Sequence, residues 1–165
     1  MKLMMATLLL SPGNIYLYYG EEIGMLGSGK DENKRLGLVW GENNDCMSPS
    51  GADYKTTFNS SIKEQLEDSN SLLSYIKKIN ALRCRNDVYL NGELEVLNYD
   101  ESIYAMRLYD EDDNLIVIHN FSDEVKDIKL DVKVDKVELL DNSKYQNDTL
   151  SLNGLASAIV YIEGK

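Results

Sequence analysis

Two adjacent acids, Glu21 and Glu22, stand inside the segment YLYYGEEIGM at residues 16–25, directly behind Tyr16, Tyr18 and Tyr19. Carboxylates delivered by an apolar, tyrosine-rich run are the equipment of general acid–base or nucleophilic work. Their spacing argues against that use here. Neighbours in an extended segment point to opposite faces, so these two acids are poorly placed to flank one bond, and no catalytic residue is assigned. The tyrosines read as core positions with tethered hydroxyls. Arg35 and Trp40 lie in the polar, glycine-rich stretch of residues 27–57 and are the candidates for ligand contact, the equal alternative being a loop anchored by an Arg35 salt bridge and a buried Trp40. His119 sits between Ile118 and Asn120 in an apolar run and reads as structural. Cys46 and Cys84 lack C-x-x-C spacing and form no cluster with the single histidine, so neither metal ligands nor a cofactor are expected.

The elements that must position these residues fall into two halves. Residues 3–10 are apolar at positions three and four apart and predict the end of a buried helix. Ser11-Pro12-Gly13 turns the chain into residues 15–19, IYLYY, whose lack of polar alternation predicts a strand buried on both faces, as in a parallel sheet. The spacing of Leu72, Leu73, Ile76, Ile79 and Leu82 predicts a helix over residues 71–83 with lysines opposite. From Val88 onward the reading is strand and turn alone: ELEVLNY, SIYAMRLY, NLIVIHNF, KDIKLDV, KVELL and SAIVYIE, with turns at Asn91-Gly92, Asp112-Asp113-Asn114 and Asn153-Gly154. Short strands at this spacing predict an antiparallel sandwich. A single parallel-type strand with two helices has nothing in this chain to pair with, so the first half is expected to complete something larger.

Four stretches in order carry a resemblance. SPGNIYLYYGEEIGM at residues 11–25 resembles the last barrel strand of the α-amylase family of glycoside hydrolases, with Ile15 where a second proline is usual. RLGLVW at residues 35–40 resembles that family's R-x-P-M-x-W, with Gly37 for the proline. Residues 61–83 resemble its N-x-x-x-Q-x-x-D-x-x-S-L-L-x-x-Y segment, with Ser61 for the asparagine and Ile76 for the tyrosine. NLIVIHNFS at residues 114–122 is similar to a strand of the C-terminal β-domain.

The resemblance implies a mixed fold: the last strand and helices of a (β/α)8 barrel over residues 1–87, then an all-β antiparallel sandwich over residues 88–165. It implies a retaining α-glycosidase whose nucleophile, general acid and third carboxylate lie on earlier barrel strands. No stretch here reads as their motifs, and the expectation is that they lie upstream of Met1 and that the chain alone is inactive. Tyr19, Glu21 and Glu22 would be structural at the barrel mouth, with Arg35 and Trp40 on the substrate side. The other reading is a stand-alone carbohydrate-binding or interaction module. The β half has no tryptophan to serve as a sugar platform, which favours the first.

Composition bounds the partners. Seventeen basic residues against 28 acidic ones give a net charge of −11, which repels a phosphate backbone, so nucleic acid is not expected. No apolar run approaches the roughly 20 residues that span a bilayer. The opening MKLMMATLLLS lacks a small-x-small cleavage site, which makes a cytoplasmic location the expectation. The Asn-x-Ser/Thr triplets at Asn59, Asn120 and Asn147 carry no glycan inference without a leader. An α-glucan or α-glucoside is expected as ligand only with the rest of a barrel present, and self-association through the exposed barrel strand is the other interaction foreseen.

Overall fold

A computed structural model describes residues 1–41, 45–54 and 60–163. The chain orders as helix α1 (Lys2–Leu9), 3-10 turns at Glu21–Ile23 and Asp31–Lys34, helices α2 (Ile62–Glu67), α3 (Leu72–Arg83) and α4 (Val88–Asn91), and strands β1 (Glu93–Leu97), β2 (Ile103–Tyr109), β3 (Asn114–Asn120), β4 (Lys126–Lys129), β5 (Val134–Leu139), β6 (Lys144–Gln146), β7 (Thr149–Leu152) and β8 (Ser157–Ile162). Two compact units result: one of Met1 with residues 16–78, the other of residues 2–15 with 79–165.

The second unit holds the sandwich. One sheet runs β1-β2-β3-β8-β5, the other β4-β7-β6, and every pairing is antiparallel. Alternation along the strands delivers Ile103, Ala105, Ile116, Ile118, Ala158 and Val160 from the large sheet, and Ile128, Leu150 and Leu152 from the small one, into a common core. Each isoleucine, leucine or valine among them contributes about 1.5–3 kcal/mol on burial. The second face of the large sheet is also closed off, since Met106, Leu108, Leu115, Val117 and Ile159 are buried. That explains why β3 reads as a continuous apolar run and not as an alternation.

Two features depart from the strand-and-turn reading of this half. Residues 88–91 form a helical turn, α4, because Val88 and Tyr89 are both buried and tertiary packing overrides their strand preference. Asn91-Gly92 therefore ends a helix and does not turn a hairpin. Gly92 is required there: a Cβ would fall 2.4 Å from Val88 Cγ2 and 3.0 Å from the Tyr109 carbonyl of β2. The other departure is the added hairpin β6–β7, whose two-residue turn places Asn147 and Asp148 at φ 50° and 57°, as a type I′ turn needs.

Two polar knots fix the loops of this unit. Asn120, fully buried, donates through Nδ2 to the carbonyls of Glu124 (2.7 Å), Leu152 (3.1 Å) and Asn153 (3.0 Å), and accepts at Oδ1 from the Ser122 amide (3.0 Å) and hydroxyl (2.7 Å). Arg83 donates to the carbonyls of Leu9 (2.9 Å) and Ser11 (2.6 Å) and to that of Gly13, with its guanidinium 5.0 Å from the centre of the Tyr89 ring. Its cation thus closes the carbonyl end of α1. Within α1, Met5, Ala6 and Leu9 are buried with Leu10 just beyond, whereas Met4 is exposed, so the helix is buried on one side only.

The strand expected at residues 15–19 is a correction. These residues join no ladder, and Tyr16 and Tyr18 are 87% and 53% exposed. Burial on both faces requires strand neighbours, and both sheets are built from the β-domain alone. No helix of the described residues is long and apolar enough to cross a membrane.

Candidate functional site

The candidate residues of the first unit are positioned by a chain of glycines and polar side chains. Gly20 and Gly24, at φ 89° and 71°, bracket the 3-10 turn Glu21–Ile23, so the two acids sit on a tight turn and not in the extended run expected. Their carboxylates turn back onto the chain that precedes them. Glu21 Oε2 accepts the Tyr18 amide at 3.4 Å, and Glu22 Oε2 accepts the Gly20 amide at 2.7 Å.

The loop after them is fixed by Asn33, a buried residue. Its Nδ2 donates to Asp53 Oδ1 at 2.8 Å, and its Oδ1 accepts the amides of Asp53 (3.1 Å) and Tyr54 (3.2 Å). Lys30 pairs with the same Asp53 at 2.9 Å, and these hydrogen bonds, Lys30's first and then Asn33's, hold the carboxyl below the ordinary aspartate range. Farther along, Ser61 and Glu64 form a reciprocal capping box at the start of α2, which pulls the Glu64 carboxyl down. Gln65 Nε2 donates to the Ile23 carbonyl at 3.0 Å, its Oε1 accepts the Leu73 amide at 3.2 Å, and its carbonyl accepts the Ser71 hydroxyl at 2.6 Å. The Gln65-x-x-Asp68-x-x-Ser71 spacing thus builds a clasp between the Glu21–Ile23 turn and the start of α3.

A cavity of about 410 Å³ opens within this unit, lined by Tyr18, Tyr19, Glu21, Asp31 and Arg35 among others. Tyr18 and Tyr19 pack at 4.8 Å between centroids with their planes tilted 47°. The Tyr19 hydroxyl donates to the Leu36 carbonyl at 3.2 Å, and burial, followed by the adjoining Tyr18 phenol, raises it above the ordinary tyrosine value. Arg35 pairs with Asp31 one turn earlier. The fold therefore brings Tyr19, Glu21 and Arg35 to one cavity, while Glu22 and Trp40 are not part of its lining. Trp40 is 46% exposed, and its carbonyl accepts the Lys63 amide at 3.2 Å.

Chemically, this wall offers phenols, a guanidinium and the carboxylates of Glu21 and Asp31, the latter paired with Arg35, a set suited to holding a polyhydroxylated ligand by hydrogen bonds and ring contact. Glu21 and Glu22 do not face each other across this cavity, because Glu22 is not part of its lining and each accepts a different backbone amide. Among the described residues no group of three or more His, Cys, Asp or Glu side chains is placed to hold a metal ion. Sequence reading passed over Asn33 and Asp53, which nothing in the polar loop distinguishes. Gln65 carried a signal, its place in the resembling segment. The Asn59 triplet lies outside the described residues, and Asn120 of the second triplet is buried by its own hydrogen bonds.

No family model matches the chain. It is 30% identical over 174 residues to the α-amylase SusG of Bacteroides thetaiotaomicron, covering 96% of this chain and 25% of that protein. It is 28% identical over 164 residues to α-amylase 3 of Dictyoglomus thermophilum, covering 92% of this chain and 32% of that one. Among solved structures, Eubacterium rectale Amy13B matches with a TM-score of 0.87 at 22% identity over 99% of this chain and 34% of its own, a likeness of fold. The chain thus spans about a quarter to a third of the curated relatives it matches.

Proposed function

From its place in the α-amylase family of glycoside hydrolases, family 13, to whose C-terminal region the chain corresponds, we propose that it serves carbohydrate metabolism as the C-terminal part of an enzyme acting on α-glucans or α-glucosides. Its role there is to complete and cap a barrel whose nucleophile and general acid stand on strands outside these residues. Residues 1–87 supply the last strand and helices of that barrel, and residues 88–165 its β-domain. Tyr19, Glu21 and Glu22 hold the barrel mouth, with Arg35 and Trp40 facing substrate.

The observation that carries this reading is the tyrosine segment itself. Residues 15–19 lie outside every ladder with apolar faces in water, while the sequence around them is matched by an α-amylase over 96% of the chain. Backbone donors and acceptors left on an apolar strand call for neighbouring strands. In a closed barrel, side chains at the carboxyl end of such a strand, and the loop after it, face the ligand. Co-expression with a piece carrying the remaining barrel strands of a family member tests this. Restored turnover of a chromogenic α-glucoside, weakened by Arg35→Ala, is the expected result. A soluble, assembled pair without turnover would contradict it.

A further inference from the structure

His119 lies in the middle strand of the sandwich's large sheet, in one rung with Tyr104 of β2 and Ser157 of β8. It is fully buried. Its Nδ1 is 2.8 Å from the Ser157 hydroxyl, and its Nε2, equally buried, meets no hydrogen-bonding atom. The Tyr104 ring stacks nearly parallel to it at 6.2 Å, and the Phe121 ring stands edge-on at 6.3 Å. The neutral ring fits this setting with its proton on Nδ1, which donates to the Ser157 hydroxyl and leaves Nε2 bare. The imidazolium does not: both nitrogens become donors, and only one has an acceptor.

We propose that His119 is an acid switch built into the β-domain: uptake of one proton by its imidazole opens the β2–β3–β8 rung, so the domain is stable at neutral pH and yields under mild acid. The proton goes onto the nitrogen left bare in the neutral tautomer, and the resulting cation must reach water. The titratable group facing the ring is the Tyr104 phenol. Beyond Ser157, the Asp141 carboxylate accepts the Ser157 amide at 3.3 Å and is already engaged. Burial is the cause that depresses the imidazole, pushing it from its ordinary 6.5 down to about 4, with no compensating charge.

The sign follows by linkage. A base whose folded value is depressed adds stability above its unfolded value, and this is lost as pH falls through the window between the two. Here that window runs from 6.5 to about 4. Asp53, Asp100, Asp110 and Glu64 are held below their ordinary values of 3.8 and 4.5, so their contributions fade at more acid pH. Asp113, raised by burial, acts with the opposite sign and cannot produce a loss.

His119 is the single histidine, so its Hε1–Cε1 resonance is unambiguous in the whole chain. The native resonance should show no titration between pH 7 and 5. Over the lower part of that range, opening of β3 and β8 amides, corrected for intrinsic exchange, should become roughly tenfold more frequent per pH unit below 6.5. His119→Gln should flatten that dependence; should the variant not fold, the wild-type titration alone decides. A native imidazole titrating near 6.5, or opening that is flat from pH 6.5 to 5, overturns the proposal.

Discussion

The side-chain amide of Gln65 donates to the carbonyl of Ile23 at 3.0 Å, across 42 positions of sequence, and both partners are buried. This bond ties the turn carrying Glu21 and Glu22 to the helical segment that follows. It gives a physical reason for the glutamine in a stretch that resembles a family motif: the residue holds a loop and need not touch a ligand. Because Gln65 also accepts from the Leu73 amide, removing it takes the partner from a buried acceptor, the Ile23 carbonyl, and from a part-buried donor.

Gln65→Ala should therefore destabilise the first unit by about 1–3 kcal/mol, the cost of unsatisfied buried polar groups. Hydrogen exchange at residues 20–25 and at Leu73 should quicken together. Exchange that changes at only one of the two places would mean the clasp is not a single link.

Asn120 makes the stronger knot. Asn120→Asp removes the Nδ2 donor from three carbonyls and buries a charge, so loss of about 3 kcal/mol or more is expected at neutral pH in urea unfolding of the β-domain. Ser122→Ala, which removes one hydroxyl contact to Asn120 Oδ1, should cost about 1 kcal/mol. Equal effects would show that the amide donors carry no special weight.

What the sequence made legible divides along physical lines. Strands β2, β3 and β8 could be read because apolar alternation or continuous apolarity states where they are buried, whereas β1 carries the alternation with Leu94 and Val96 exposed. The helix α3 followed from its stripe, with Ile76, Ile79 and Leu82 buried. Hairpin β6–β7 was missed because Lys144, Gln146 and Ser151 dilute its pattern; its one clue was Asn147-Asp148, side chains that tolerate a left-handed backbone. Helix α4 was missed because Val88 and Tyr89 favour strands until packing decides otherwise. In the candidate site, Arg35 and the tyrosines announced themselves by type, whereas Asn33 and Asp53 act only through a meeting 20 residues apart. The run at residues 15–19 was misread for a different reason: its apolarity describes neighbours that this chain's own strands do not provide.

We propose that this segment drives self-association when no such neighbour is supplied. Tyr16, Leu17, Tyr18 and Tyr19 expose apolar surface on a backbone that joins no ladder. Amides of residues 15–19 should exchange rapidly in dilute solution, with protection and sedimentation rate rising with concentration. Slow exchange at every concentration would mean that the segment is satisfied within one chain.

The most direct test of the central claim is an assay of the purified chain on a chromogenic α-glucoside. Cleavage in this family's implied scheme needs a nucleophile and an acid about 5–5.5 Å apart, and here Glu21 and Glu22 are committed to the amides of Tyr18 and Gly20. The chain by itself should give no turnover above buffer, and Glu21→Gln and Glu22→Gln should change nothing. Turnover by the chain alone, abolished by either substitution, would contradict the account and make these glutamates its catalysts.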